Sequence, residues 1–265
     1  MKHKLISFAL FGNDPKYRTG MMANVRAASR YYPGWKLVIY CDRVNHDALV
    51  KEDLGPSVEC ILQKDESQGV EGMSWRFLAV LRDDAEVVIF RDADSIFTAR
   101  ETAAVSEWLT SRKDMHIIRD HPYHRSPVMG GLFGVRGRAL SLLAELVRAR
   151  MLSHRLTEYG DDQVFLTKDL YPKVVKTTLV HTNCVRFFPE FTRPLPPDQP
   201  GDHFIGAYAL LTDEEHEEYE AIRRQWAPVT LIPETWQHHR YRILRKIYRK
   251  YHGIQRIRHG WRWCI

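Results

Sequence analysis

The sequence predicts an α/β fold in which one domain, built on a central and mostly parallel sheet, is followed by a helical basic tail. Short apolar runs alternate with amphipathic stretches through the first two thirds of the 265 residues, the pattern of βαβ units. A hydrophobic content of 44% is enough for one full core. Charge is unevenly placed, with nine Lys or Arg and no acid from Trp236 to Ile265, so a basic tail follows a mildly acidic body. The core domain is expected over residues 1–211 and the helical extension over 212–265.

Strands are expected at Leu5 to Phe11, Lys36 to Cys41, Val58 to Leu62 and Glu86 to Phe90, where branched and aromatic residues run together. Arg18 to Tyr31, His46 to Asp53 and Ser74 to Leu81 between them are helical, and Tyr32-Pro33-Gly34 stops the first of these. Ala104, Val105, Trp108 and Leu109 give Arg100 to Ser111 a helical apolar face, and Met115 to Ile118 reads as a strand. In Val128 to Val135 three glycines interrupt an apolar run, which marks a bulge or close approach of backbone to a ligand rather than an ordinary core strand. A helix from Gly137 to Met151, a short helix from Asp161 to Leu170 and a strand from Val174 to Val180 follow. Five prolines between Phe187 and Gly201 predict a surface loop. Asp213 to Trp226 is an acidic helix opened by the capping box Thr212 to Glu215, and Thr235 onward is the basic helix.

Chemistry concentrates where Val87 to Phe90 runs into Arg91-Asp92-Ala93-Asp94. Two carboxylates one residue apart at a strand's end suit Mg²⁺ or Mn²⁺ holding a diphosphate. The alternative is a turn merely capped by acids. His203 or His181 could add a nitrogen ligand, or the metal could take no third protein ligand. Asp161, Asp162 and Gln163 open a helix after Gly160; Asp161 or Asp162 is simply its N-cap, or Asp162 is a base with the Gln163 amide oxygen beside a reacting sugar carbon. Arg76 interrupts an apolar helix face, as a snorkelling side chain or as a fork for phosphate oxygens.

Four cysteines without C-x-x-C spacing argue against a disulfide framework and for a reducing, cytoplasmic compartment. The apolar run after Met1 is short for a secretory signal, and no segment approaches the roughly 20 apolar residues that span a bilayer. The tail, with Tyr241, Leu244, Tyr248 and Tyr251 at helical spacing among basic residues, fits a peripheral anchor on the inner, anionic face of a membrane. Packing on the domain is the plainer reading of that face. No base-reading motif accompanies the charge, so nucleic acid is not the expected partner.

With Phe90-Arg91-Asp92-Ala93-Asp94-Ser95, Arg100-Glu101, Glu107-Trp108-Leu109, Arg119-Asp120-His121-Pro122 and Gly130 to Gly134 in view, the chain resembles the DxD-containing, nucleotide-sugar-dependent glycosyltransferases of GT-A fold found in capsule and lipopolysaccharide assembly. The resemblance covers about Leu5 to Gly206. It implies a single GT-A (Rossmann-like) domain and transfer of a hexose from a nucleoside diphosphate sugar, a UDP-sugar foremost, to a hydroxyl of a surface glycan or glycolipid. It also implies that Asp92 and Asp94 hold Mn²⁺ or Mg²⁺, with His203 of His203-x-x-Gly206 as a third ligand. Phe11, Gly12, Tyr17, Asp42, Arg76, Asp92, Gly130 and Gly131 then bind the donor, and Asp162-Gln163 act at the reacting carbon. Ala207-Tyr208-Ala209 departs from the motif of the retaining enzymes, which leaves retention or inversion open. The rivals are an Asp-x-Asp phosphatase or phosphotransferase, and a glycan- or nucleic-acid-binding module without catalysis.

Overall fold

A computed structural model describes residues 1–64, 70–151, 158–198, 202–209, 211–226 and 229–231. The basic helix and membrane anchor expected in the tail lie outside the described residues.

The chain begins with strand β1 (His3–Leu10) and helix α1 (Pro15–Tyr31). Asp14 caps that helix by accepting from the Lys16 N–H, and Pro15 fills the first turn, where no N–H is needed. Strand β2 (Lys36–Asp42) leads directly into helix α2 (Arg43–Leu49). This helix starts three residues before the expected His46, because the Asp42 side chain caps it through the Asn45 N–H. Strand β3 (Val58–Lys64) precedes a 3₁₀ helix over Val70–Leu81. An α-helix was expected over its second half; the tighter winding aligns every third residue and sets Met73 and Arg76 in one row. Strand β4 (Ala85–Arg91), helix α3 (Ala99–Thr110) and strands β5 (Met115–Arg119) and β6 (Leu132–Arg136) follow.

Helix α4 (Gly137–Leu146) runs on in π-helical turns over Val147–Met151. Helix α5 (Asp161–Phe165), π turns over Leu166–Leu170 and helix α6 (Tyr171–Val174) replace the single short helix expected there. Strand β7 (Thr178–Thr182) begins four residues later than expected, after a 3₁₀ turn over Val175–Thr177. Strands β8 (Val185–Phe187) and β9 (Phe191–Arg193) come next, then helix α7 (Asp213–Gln225) with its capping box, and strand β10 (Val229–Leu231). The expected proline loop thus contains a strand: Phe191-Thr192-Arg193, between Pro189 and Pro194, pairs only with β7 at the sheet's edge, where neighbouring prolines are tolerated.

The main sheet has the order β3-β2-β1-β4-β6-β5-β7-β9, with β6 antiparallel to both neighbours and the other pairings parallel. This is the single α/β domain with a mostly parallel sheet that the GT-A resemblance implies. Alternation along the strands fills two core layers. Leu5, Val88 and Phe90 join Phe77 and Phe133 on one side, while Ile6, Phe8 and Ile89 join Met21 and Trp108 on the other. Strand order reverses between β1 and β4, and open sheets of this kind bind ligands in the crevice beyond the carboxyl ends at such a point.

Helix α7, in the stretch after residue 212, packs on the core: Tyr219 meets the His121 ring edge-on and the Phe204 ring at a tilt, at 5.4 Å in each case, and Arg223 reaches Asp120 and Asp198. Asp120 is the knot: its carboxylate accepts from both guanidinium ends of Arg100, at 2.7 and 3.1 Å, and from the Ile205 N–H at 2.9 Å. Asp120→Ala removes two of the hydrogen bonds of the buried Arg100, which keeps Asp198 at 2.6 Å and the Pro196 carbonyl at 2.9 Å, and leaves the Ile205 N–H unpaired; it is expected to lower unfolding free energy in urea by about 2 kcal/mol. It should also speed proteolysis within 202–209.

Candidate active site

A cavity of about 500 Å³ opens at the β1/β4 crevice, and the sequence-distant candidates meet there. Asp92 and Asp94 come from the turn after β4, Phe11 and Tyr17 from the loop after β1 and the first turn of α1, and Arg76 from the 3₁₀ helix. Gly130 and Gly131 come from the turn before β6, and Asp162 and Gln163 from the start of α5.

Each carboxylate is placed by identifiable packing. Asn24 on α1 donates to the Ser95 carbonyl at 2.7 Å and accepts from the Phe97 N–H at 3.1 Å, which clamps the turn that follows Asp94. Gly20 lies against the backbone of Ala93 and Asp94, leaving no room for a Cβ. From the other side the Ala209 N–H donates to the Asp94 carbonyl at 2.6 Å and Tyr208 bridges to Ser95, so the segment 202–209 closes over the turn. Gly131 is packed against the Asp92 carboxylate and Gly130 against that of Asp162, so any larger residue would displace them. What this glycine run meets is the two carboxylates, and its end, Leu132–Arg136 with Gly134 inside it, is a regular central strand paired on both sides, against the expectation for that stretch.

Arg76 is the electrostatic centre. Its side chain is 5% exposed, and the guanidinium pairs with Asp92 and lies 3.7 Å from Asp162. Its Nε–H donates to the Met73 carbonyl at 2.9 Å, and the Ser7 hydroxyl fixes its own carbonyl at 2.6 Å. Burial pushes the Asp92 pKa up, but the Arg76 charge and hydrogen bond outweigh it and the net shift is downward. Asp94, buried and facing the Asp92 charge, is pushed up to about 6. Burial likewise raises the Asp162 pKa, against the pull of Arg76.

Two carboxylates with no Lys or Arg paired to Asp94 among the described residues suit a hard divalent cation that completes its sphere with water and substrate phosphate. Among the described residues no third protein ligand joins them. His203 lines no part of the cavity and turns its Nδ1 to that of His216 at 2.7 Å; in this segment Phe204, Gly206 and Tyr208 face the cavity instead. His181 is buried in β7, with Nδ1 2.8 Å from His116 and Nε2 3.1 Å from Glu107. Among the described residues no cluster of three or more His, Cys, Asp or Glu is arranged to hold a metal.

Asp42 and Gly12 do not line the cavity either. Both Asp42 oxygens are spent inside the protein: one accepts from the Gly12 N–H at 2.8 Å, the other from the Asn45 N–H at 3.0 Å and its side-chain amide at 2.8 Å. The pair shapes the loop that presents Phe11, whose ring packs edge-on against Trp75 at 5.8 Å. Lys16, Met73, His121, Tyr123, His124, Tyr208 and Tyr219 also face the cavity, and the motif reading passed over them. A signal for some was present, since Arg119-Asp120-His121-Pro122-Tyr123-His124 is a polar and aromatic turn leaving a buried strand.

No family model matches the chain, and no curated protein does. Among solved structures it is similar to a 4-diphosphocytidyl-2C-methyl-D-erythritol synthase from Anaerococcus prevotii (10% identity, TM-score 0.48, covering 68% of this chain and 87% of that one). It is similar to a mannosyltransferase from Pyrobaculum calidifontis in complex with GDP-Man and Mn²⁺ (15% identity, TM-score 0.47, covering 68% of this chain and 55% of that one). A third is a glycosyltransferase involved in glycosylation of the major capsid of PBCV-1 (11%, TM-score 0.43, 69% and 83%). At such identities and TM-scores the likeness carries no argument, and function rests on the residues above.

Proposed function

We propose that the chain is a metal-dependent glycosyltransferase that moves a hexose from a nucleoside diphosphate sugar, a UDP-sugar foremost, to a hydroxyl of a surface glycan or glycolipid. The carrying observation is the convergence of Asp92, Asp94, Arg76 and Asp162 on one cavity at the point where the strand order reverses. Asp92 and Asp94 would hold Mn²⁺ or Mg²⁺, which when bound supplies positive charge to the departing diphosphate. Arg76, itself buried, holds Asp92 and Asp162 and adds a fixed positive charge beside them. Gly130 and Gly131 let the backbone approach the donor sugar. Asp162, with its pKa raised by burial, is suited to take the proton of an acceptor hydroxyl, and the Gln163 amide oxygen to face developing positive charge at the sugar carbon. An attacking Asp92, as a phosphatase would need, fits poorly with a carboxylate tied to Arg76 and packed on Gly131.

Calorimetric titration of UDP, GDP and CDP with and without Mn²⁺ tests the reading. Binding of one nucleotide, UDP by preference, is expected to tighten at least about tenfold when Mn²⁺ is present, a gain of roughly 1.4 kcal/mol. No nucleotide response under any metal would overturn it.

A further inference from the structure

Beside the carboxylates, Arg76 and the two glycines, the cavity has a stretch of aromatic wall free of Lys, Arg, Asp and Glu. That wall is built from His121, Tyr123, His124, Phe204, Tyr208 and Tyr219. His121 sits at its centre, with ring centres 4.8 Å from Tyr123, 4.6 Å from Phe204 and 5.4 Å from Tyr219. Its Nδ1 accepts from the Tyr123 N–H at 3.2 Å and its Nε2–H donates to the Tyr219 carbonyl at 3.1 Å, so both nitrogens are spent in holding two tyrosines in place. Tyr123 is 54% exposed and Tyr208 50%, and Tyr219 is half-buried, which leaves their ring faces available.

His124 is different. Its Nδ1 accepts from the Asp120 and His121 N–H groups, at 3.1 and 3.3 Å, which places the proton on Nε2. Only 7% of the residue is exposed, it lines the cavity, and among the described residues its Nε2–H has no hydrogen-bond partner. That N–H opens on the cavity, where water or an oxygen from a ligand can accept from it. Burial keeps the ring neutral, with its pKa pushed down to about 3, so the donor persists at every working pH.

We propose that this wall is a saccharide subsite, in which a pyranose hydroxyl accepts from the His124 Nε2–H and the apolar face of the ring lies on Tyr123 and Tyr219. Aromatic faces suit the slightly positive C–H bonds of a sugar ring, and fixed polar groups at their rim set its orientation. A phosphate or other anion is disfavoured at this wall because no Lys or Arg belongs to it, and the cavity's own cations, Lys16 and Arg76, pair with Asp14 and Asp92. Arg119 pairs with Glu190, Arg223 with Asp198 and Glu220, and Arg125 stacks on Trp226. As the acceptor side of the site, the subsite rests on the transferase reading, and it assigns the acceptor to the glycans. Its existence as a sugar site is tested separately.

Saturation-transfer NMR with the methyl α- and β-glycosides of glucose, galactose, mannose and N-acetylglucosamine, with UDP and Mn²⁺ present, provides that test. At least one glycoside should give signal through its ring C–H protons. Tyr123→Ala removes an exposed ring and should weaken it about fivefold. His124→Asn keeps an acceptor at the place of Nδ1 while removing Nε2–H, and should weaken it by about tenfold. UDP affinity should change less than about twofold in both. Absence of any glycoside signal on the wild-type protein, or a signal unchanged in both variants, overturns the subsite. If glycosides bind and the variants weaken them while UDP shows no Mn²⁺ response, the subsite stands and the transferase reading falls.

Discussion

Asp94→Asn is expected to abolish the Mn²⁺-dependent part of nucleotide binding and to lower sugar transfer by about a thousandfold, roughly 4 kcal/mol of transition-state stabilisation. Asp94 is 8% exposed, faces the charge of Asp92, and has no Lys or Arg paired to it among the described residues. Asparagine keeps the shape and removes a charge that is disfavoured without a cation, so the metal-free variant should melt no lower than the wild type. That separates loss of a ligand from loss of fold. The sign of the pH effect agrees. The pKa of Asp94 is higher in the folded protein, about 6, than in the unfolded chain, so the folded state holds the extra proton between roughly pH 4 and 6. Metal-free stability should therefore fall as pH rises through that window in the wild type, and Asp94→Asn should remove this component. In the wild type the Mn²⁺ response should fade as pH falls below about 6, where a proton takes the metal's place. A full Mn²⁺ response in the variant at neutral pH would refute the role given to Asp94.

The parts of the site that one segment can specify were legible in the residue order. Asp92 and Asp94 stand at the end of an apolar run that could only be a buried strand, and Gly130-Gly131 break an apolar run where backbone must come close to something. The structure adds what they come close to, the carboxylates of Asp162 and Asp92. Long-range pairing was beyond local pattern. Asp42 has the position of a donor contact, yet its oxygens close the loop at Gly12 and the start of α2, a role visible only once β1 and β2 lie side by side. His203 sits in a suggestive motif, but its nitrogen is turned to His216 on α7, a helix that the sequence assigned to a separate extension. The 3₁₀ winding of Val70–Leu81 was hidden because its apolar content suits an α-helix equally well. Only its packing against β1 and β4 decides the pitch, and with it the aim of Arg76.

Arg76→Met is expected to weaken the fold and the site together. The guanidinium stands between Asp92 and Asp162, with Asp94 near enough to be felt, so its loss leaves three carboxylates facing one another. Breaking a buried pair from one side typically costs about 3–5 kcal/mol. Because the Asp92 side chain is 47% exposed, solvent takes up part of its charge, and a loss near 2–3 kcal/mol in urea unfolding at pH 7 is the expected value. The folded pKa of Asp92 lies below its unfolded value, so the stability that the pair confers is present above the unfolded pKa and is lost as pH falls through the folded one. The gap between wild type and Arg76→Met should accordingly be widest at neutral pH and close in acid, whereas a purely steric cost would persist at all pH values. Arg76→Lys should recover part of the stability but little of the transfer. An ammonium offers a point charge where the guanidinium spans Asp92 and Asp162 at once, and a Lys variant of full activity would show that the fork is not needed.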